Sequence, residues 1–399
     1  MTKTFPQIIL SSGKDQSLRR FHPWVFSGAI KKVKDKLQLK DGDIVEVVDN
    51  KDEFLGIGHY QESSISVRIF SFEKINPDAE FWRSKIQKAF DFRKKLGLTD
   101  NPHTNCYRLL FGEGDGLPGL IIDYYNGTCV MQCHSIGMHL MKNEIVEAVK
   151  EVYGEKLVAV YDKSSETLPK IFAAGMKNEY LFGEGTDQQH LILENDSTFW
   201  ADWKSGQKTG FFLDQRENRQ MLGRYSEGKT VMNAFCYTGA FSVYALKAGA
   251  TEVHSVDSSK RAIELTEKNV KMNTFSGKHK SYSVDVFDFL KDKKDVYDVM
   301  VLDPPAFAKH HDVRHNAVMG YKRLNSEALK QIKSGGILFT FSCSQVIDRP
   351  LFEKTIMSAA IVAGRNVRVL HHLSQAPDHA VNIFHPEGEY LKGLVLFVE

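Results

Sequence analysis

From about residue 190 onward the chain alternates short apolar runs with longer amphipathic ones, and this alternation constrains its fold more than any other feature. "TVMNAF" leads into "SVYALKAGA", "EVHSVD" into "RAIELTEKNVKMN", "YSVDVFDFL" is followed by "YDVMVLD", then come a helical stretch around "YKRLNSEALKQI", "GILFTFS", "LFEKTIMSAAIVAG", "VRVLHHL" and "GLVLFVE". Strands separated by helical crossovers lie side by side in a parallel sheet with helices on its faces. The pattern predicts a seven-stranded, Rossmann-like α/β domain over residues 189–399.

The remainder reads differently. Residues 1–75 hold short strands, with "DIVEVVD" alternating at period two before "FLGIGHY" and "ISVRIFSF", and glycines between them; this predicts a small β-barrel. Residues 76–188 open on a linker helix, "DAEFWRSKIQKAFDFRKKLG", ending at Gly97, and continue as an α+β domain with a hairpin closing at Asn126-Gly127. The Gly-rich "GEGDGLPG" lies between strands rather than ahead of a helix, so it reads as a tight turn and not as a phosphate cradle.

Several function classes are excluded at this level. No apolar run reaches the ~18 residues that a membrane span needs, and "MTKTFPQIIL" has no apolar stretch of the secretory kind. Cys106, Cys129, Cys133, Cys236 and Cys343 are odd in number and contain no C-x-x-C pair, which speaks against a disulfide framework and a zinc ribbon, and for a reducing cytoplasm. No metal is expected. The net charge of +2 says little as a sum, but Lys14, Arg19, Arg20, Lys31, Lys32, Lys34, Lys36 and Lys40 face only Asp15 and Asp35 in their stretch. With Phe21, His22, Trp24 and Phe26 among them, these cations suit either a nucleic-acid footprint or a solvated face.

The residues that can carry chemistry sit where predicted strands end. In "NAFCYTGAFSVYALKAG" a buried strand breaks at Gly239 and a helix starts at once, the crevice position of an open α/β sheet. Asp257 ends the next strand, where a carboxylate can bind both ribose hydroxyls, and Asp285 follows the third, where one can accept from an adenine amino group. The G-x-G-x-x-G pyrophosphate fingerprint is absent, which favours S-adenosylmethionine over a dinucleotide. "DPPAF" follows the fourth strand: Pro304 and Pro305 stiffen an extended turn, Asp303 can grip a base, and Phe307 can stack on it. Cys343 ends the next strand, in "GGILFTFSCSQVI". Carbon 5 of a pyrimidine is a poor nucleophile until a thiolate adds at carbon 6, and cysteine is the side chain suited to that attack near neutral pH. "GQKTGFFLDQRENR", with no periodicity, offers Lys208, Asp214 and Arg216 to a zwitterionic ligand end or an RNA phosphate.

Together these residues resemble class I S-adenosylmethionine-dependent methyltransferases, and more narrowly the large-subunit (23S) ribosomal RNA cytosine-carbon-5 methyltransferase family that carries an N-terminal PUA domain. "RRFHPWVFSGAI", "GDIVEVVD" and "FLGIGHYQESSISVRIF" resemble the PUA module, and "YRLLFGEGDGLPGLIIDYY" the middle domain. "GQKTGFFLDQRENR", "FCYTGAFS", "VLDPPAFAK" and "FSCS" resemble its pre-sheet, cofactor, substrate and nucleophile motifs. The resemblance implies that Asn233, Phe235, Tyr237, Thr238 and Gly239 line the cofactor pocket, with Asp257 on the ribose and Asp285 near adenine, and that Cys343 attacks the base. Many RNA cytosine methyltransferases carry a second cysteine in the substrate motif to release product. This chain has none there, and Asp303 is the nearest candidate for the base that replaces it. Two other functions fit the sequence less completely: methylation of a base nitrogen, which needs no thiol, and RNA binding in ribosome assembly without catalysis. The apolar runs of the barrel allow a homodimer.

Overall fold

The computed structural model describes residues 5–34, 39–291, 293–307 and 314–399. Lys36 and Asp35 of the basic stretch, and Ala308 and Lys309 of "VLDPPAFAK", lie outside them. The chain forms two compact units: Met1–Leu193 with Ala201–Leu213 and Pro377–Gly388, and Glu194–Trp200 with Asp214–Ala376 and Glu389–Glu399.

The first unit contains a six-stranded sheet drawn from Gln7–Leu10 through Ile65–Ser71 and a five-stranded sheet drawn from Cys106–Phe111 through Glu179–Gly183. Between them in sequence runs the helix Ala79–Lys95. Asp78 caps it by accepting from the Phe81 N–H at 3.1 Å, and Trp82, Ile86 and Ala89 form its buried stripe. Arg93 is buried on the same helix, and its guanidinium donates to the Arg108 carbonyl at 2.7 Å, the Asp378 carbonyl at 2.7 Å and the Asp115 carboxylate at 2.8 Å. Asn126 and Gly127, with φ of 42° and 96°, make the two-residue turn between Leu120–Tyr125 and Thr128–Cys133.

The second unit is built on seven strands: β1 Thr230–Ala234, β2 Glu252–Asp257, β3 Lys278–Ser283, β4 Val299–Leu302, β5 Gly336–Ser342, β6 Val367–Leu373 and β7 Lys392–Val398. Their helices are α1 Ala240–Lys247, α2 Lys260–Lys271, α3 Val286–Leu290, α4 Arg314–Gln331 and α5 Arg349–Ala363. The sheet order is β3-β2-β1-β4-β5-β7-β6. The first five strands pair in parallel, as the alternation predicts, but β7 pairs antiparallel with both β5 and β6. The reason is connectivity: no α-helix separates β6 from β7, so nothing carries the chain back across the sheet for a parallel return.

The central strands β1 and β4 are buried on both faces, which is why they read as nearly continuous apolar runs. On α4 the residues Ala317, Tyr321, Leu324 and Ala328 recur at helical spacing and pack with Met300, Leu338 and Phe352 in one core. α5 begins at Asp348, which accepts from the Leu351 N–H at 2.8 Å, and stops at Gly364 with φ 65°. Among the described residues no helix is long and apolar enough to cross a membrane.

Candidate active site

Because β1, β2, β4 and β5 are parallel neighbours, their carboxyl ends share one edge of the sheet. Order reverses at β1, whose neighbours are β2 on one side and β4 on the other, so the crevice of an open α/β sheet falls there.

The turn after β1 is held in an unusual backbone. Phe235, Tyr237 and Gly239 take φ of 58°, 46° and 70°, a conformation that bulky residues adopt only when their surroundings impose it. Asp257 imposes part of it: one carboxylate oxygen accepts from the Tyr237 N–H at 3.1 Å, the other from the Ser259 N–H at 2.9 Å. Thr266 donates to the Tyr237 carbonyl at 3.0 Å, Asn269 to the Thr238 carbonyl at 2.7 Å, and the Gly239 N–H to the Cys236 carbonyl at 2.7 Å. A Cβ on Gly239 would come within 2.5 Å of the Thr266 side chain. Thr238 is buried, as is Cys236, whose thiol is pushed up to about 12 by that burial. The Asn233 amide donates to Ser242 at 2.9 Å, while its carbonyl oxygen is buried with no hydrogen-bond partner. That orphaned acceptor beside a strained, glycine-ended turn suits a ligand that brings a donor, and the amino groups of S-adenosylmethionine are such donors.

Asp285 stands at the N-terminus of α3, where its Oδ1 accepts from the Phe287 N–H at 2.8 Å and the Asp288 N–H at 3.3 Å. From sequence Asp285 reads only as an acceptor for adenine; its capping of α3 is a finding of the structure. Arg216 is buried and lies 3.5 Å from Glu194, in a cluster completed by a two-pronged bond from Arg219 to Glu194, each prong 2.8 Å. The motif that presents Arg216 gives no hint of Glu194, which lies outside it. Lys208 is exposed, belongs to the first unit and has φ 51°.

The structure brings Asp303, Asp214 and Cys343 into one electrostatic group. Gln215 donates to Asp303 at 2.9 Å, and Tyr390 donates to Asp214 at 2.6 Å. The second oxygen of Asp214 is buried with no partner. Asp303 keeps a partial opening to solvent, yet the protein around it pushes its carboxyl up to about 7, by burial first and by the Asp214 charge second. Cys343, the only one of the five cysteines that is not buried, is pushed up to about 11, by burial first and then by Asp303 and Asp214. Lys392 opposes that rise. Pro304 is buried and Pro305 exposed. Phe307 packs edge-on against Tyr321, with ring centres 4.7 Å apart, over Gly320, where a Cβ would lie 3.1 Å from the ring. Lys392 is the residue that sequence reasoning missed, since only the non-local pairing of β7 with β5 brings it here.

In the first unit, part of the basic stretch is internally neutralised. Arg19 bonds Asp15, Asp49 and Glu53 at 2.5, 3.0 and 2.7 Å, and Lys34 pairs with Asp52 at 3.2 Å. Arg20, Lys31 and Lys32 are exposed, as are Phe21 and Phe26.

The strand order and the strained turn at its switch point define an S-adenosylmethionine-dependent methyltransferase fold. The family description for such methyltransferases matches residues 163–379, and that for a PUA-like domain matches residues 8–72. Similar curated proteins include a ribosomal RNA large subunit methyltransferase I from Shewanella amazonensis, 40% identical with 98% of each chain covered, and one from Aeromonas hydrophila, 39% identical over the same shares. A solved structure of a SAM-dependent methyltransferase from Streptococcus mutans aligns at TM-score 0.82 and 26% identity, covering 98% of this chain and 99% of that one. A solved methyltransferase complexed with SAH aligns at TM-score 0.83 with the same identity and coverage. The chain belongs to the ribosomal RNA large subunit methyltransferase I family, within the S-adenosylmethionine-dependent methyltransferases.

Proposed function

We propose that this enzyme methylates carbon 5 of a cytosine in large-subunit (23S) ribosomal RNA in the cytoplasm, through a covalent bond between Cys343 and the base. The observation that carries the reading is a single partly open thiol at the end of β5, coupled to Asp303 at the same sheet edge and to Asp214. The names of the full-length relatives support ribosomal RNA as the substrate class.

Asn233, the turn from Phe235 to Gly239, Asp257 and Asp285 would hold S-adenosylmethionine, and Asp214 would meet its charged amino end. When bound, this cofactor supplies a methyl group made electrophilic by its sulfonium. Cys343, once it has lost its proton, adds to carbon 6 of the cytosine, and the electron pair of the 5,6 double bond moves toward carbon 5. Carbon 5 then carries both its proton and the new methyl group. Asp303 takes that proton; a carboxyl poised near 7 is ionised often enough to accept it and is basic enough to keep it briefly. The carbon 5–hydrogen electron pair re-forms the double bond, and the Cys343 sulfur leaves as thiolate. Gln215 donates to one oxygen of Asp303 and would leave the other free for the proton. Pro304 and Pro305 stiffen the turn that carries Asp303, and Phe307 supplies an aromatic face beside it. Lys208 and the exposed Arg20, Lys31 and Lys32 are the RNA-backbone contacts of this reading.

Nucleoside mass spectrometry of large-subunit RNA treated with enzyme and cofactor tests it. The expected product is 5-methylcytidine, absent with Cys343→Ala. A methyl group on a base nitrogen, made equally well by Cys343→Ala, would replace this reading with amino-group methylation, and no methylated nucleoside at all would favour an assembly role.

A further inference from the structure

Lys392 is the first residue of β7 and pairs with Ser342, the last of β5. It is 3% exposed. Its ammonium donates to the Ser344 carbonyl at 2.8 Å and the Tyr390 carbonyl at 2.7 Å. Among the described residues no carboxylate forms an ion pair with it. Two of its three protons are therefore spent on neutral acceptors, and the charge itself has no buried counter-charge. A cation kept out of water on such terms is costly. A sequence that keeps one here needs an anion nearby during part of its working cycle, and Cys343 lies between the two residues that Lys392 touches, Ser342 by strand pairing and Ser344 by hydrogen bond.

The charges around the thiol give that placement its meaning. Asp303 and Asp214 both disfavour the thiolate, and Lys392 is the cation acting in the opposite sense. Around Lys392 itself stand Cys343, Glu389 and Asp348, which favour its charge, and Arg349, which opposes it. Burial pulls the ammonium down to about 8, so it still carries its charge at neutral pH. The same lysine also ties the loop to the carboxylates, because Tyr390, whose carbonyl it binds, donates its hydroxyl to Asp214.

We propose that Lys392 is the positioning residue of Cys343: its ammonium is the counter-charge of the thiolate and, through the Ser344 carbonyl, the anchor of the loop that carries the sulfur. The inference rests on the proposed function only for the use to which the thiolate is put.

The test is the rate at which iodoacetamide alkylates Cys343, followed by peptide mass spectrometry as a function of pH in the full chain, without RNA or cofactor. In that reaction the sulfur–carbon bond forms as carbon–iodine breaks, iodide leaves, and the thiol proton goes to buffer. The other four cysteines are buried and serve as internal controls for folding. Lys392→Met is expected to slow the Cys343 reaction about tenfold at pH 7, where the ammonium still carries its charge, with the difference fading above about pH 9 as the wild-type lysine loses its proton, while Lys392→Arg restores most of the rate at pH 7. An unchanged rate at pH 7 in Lys392→Met overturns the proposal, as does faster alkylation there, which is what a merely structural anchor would give. Should Lys392→Met fail to fold, Lys392→Arg carries the test, because a guanidinium keeps its charge at about pH 9 to 10, where the lysine has lost it. Lys392→Arg should then react at least severalfold faster than the wild type at about pH 9.5, and equal rates there would sink the idea. Because the alkylation needs no substrate, slowed alkylation in Lys392→Met alongside no 5-methylcytidine from the wild-type enzyme would refute the proposed function and leave this inference standing.

Discussion

Replacing Gly239 by alanine should weaken cofactor binding by more than the lost freedom of one glycine. Its φ of 70° costs a residue with a Cβ about 1–2 kcal/mol. The added Cβ would also fall 2.5 Å from the Thr266 methyl and 2.9 Å from its hydroxyl oxygen, so Thr266 must rotate. Rotation takes the hydroxyl off the Tyr237 carbonyl, a bond of 3.0 Å whose loss is worth roughly 1 kcal/mol. Together these amount to about 2–3 kcal/mol against the turn as it stands, or roughly a 30- to 150-fold rise in Kd for S-adenosylmethionine by calorimetry. Thr266→Ala alone loses only the hydrogen bond, and should cost about fivefold. The double variant removes the two closest contacts and leaves only the Cβ of residue 266 at 3.0 Å, so Gly239→Ala with Thr266→Ala should bind tighter than the product of the single effects. Strict additivity, or wild-type affinity in Gly239→Ala with an unchanged melting curve, would refute the view that this turn is held in its strained form for the cofactor.

Three other outcomes follow from the same geometry. Glu194→Gln leaves the buried Arg216 and Arg219 without their carboxylate, and denaturant unfolding should show a loss of about 3–5 kcal/mol. Asp303 titrates near 7 in the fold and near ~4 in an unfolded chain, so the native state holds the extra proton between those values and stability falls as pH rises from about 4 to about 7. Asp303→Asn should remove that part of the pH dependence in thermal melts at pH 5 and 7, while a profile like the wild type's would mean that the carboxyl is not held up. Lys31→Ala with Lys32→Ala should weaken RNA binding and reduce the salt slope by about 1–2, whereas Lys34→Ala, whose ammonium already meets Asp52, should change it little.

What the sequence reveals depends on how local each signal is. Cys343 and Asp303 were readable because a buried strand announces itself as an apolar run, and the residue where the run stops must lie at the sheet edge. Gly239 and Asp257 were readable for the same reason, although the bond between Asp257 and the Tyr237 N–H was not, since it depends on the backbone turning through positive φ at a bulky residue. Arg216 looked available for a ligand because its motif is polar; the carboxylate that engages it lies outside the motif and reaches it only in the fold. Lys392 and the antiparallel sense of β7 were hidden together. A strand that returns without a helix carries no periodic signal of its direction, and without that direction no pairing with Ser342 can be drawn.

The covalent step is the centre of the account, and one trapping measurement addresses it. Large-subunit RNA containing 5-azacytidine has nitrogen at position 5 and no proton there to remove, so a thiolate that has added to carbon 6 stays attached after methyl transfer. The account predicts a complex that survives denaturing electrophoresis, maps to the Cys343 peptide by mass spectrometry, and is absent in Cys343→Ser. Efficient methylation of cytosine-containing RNA by Cys343→Ser, with no complex trapped by the wild type, would contradict it.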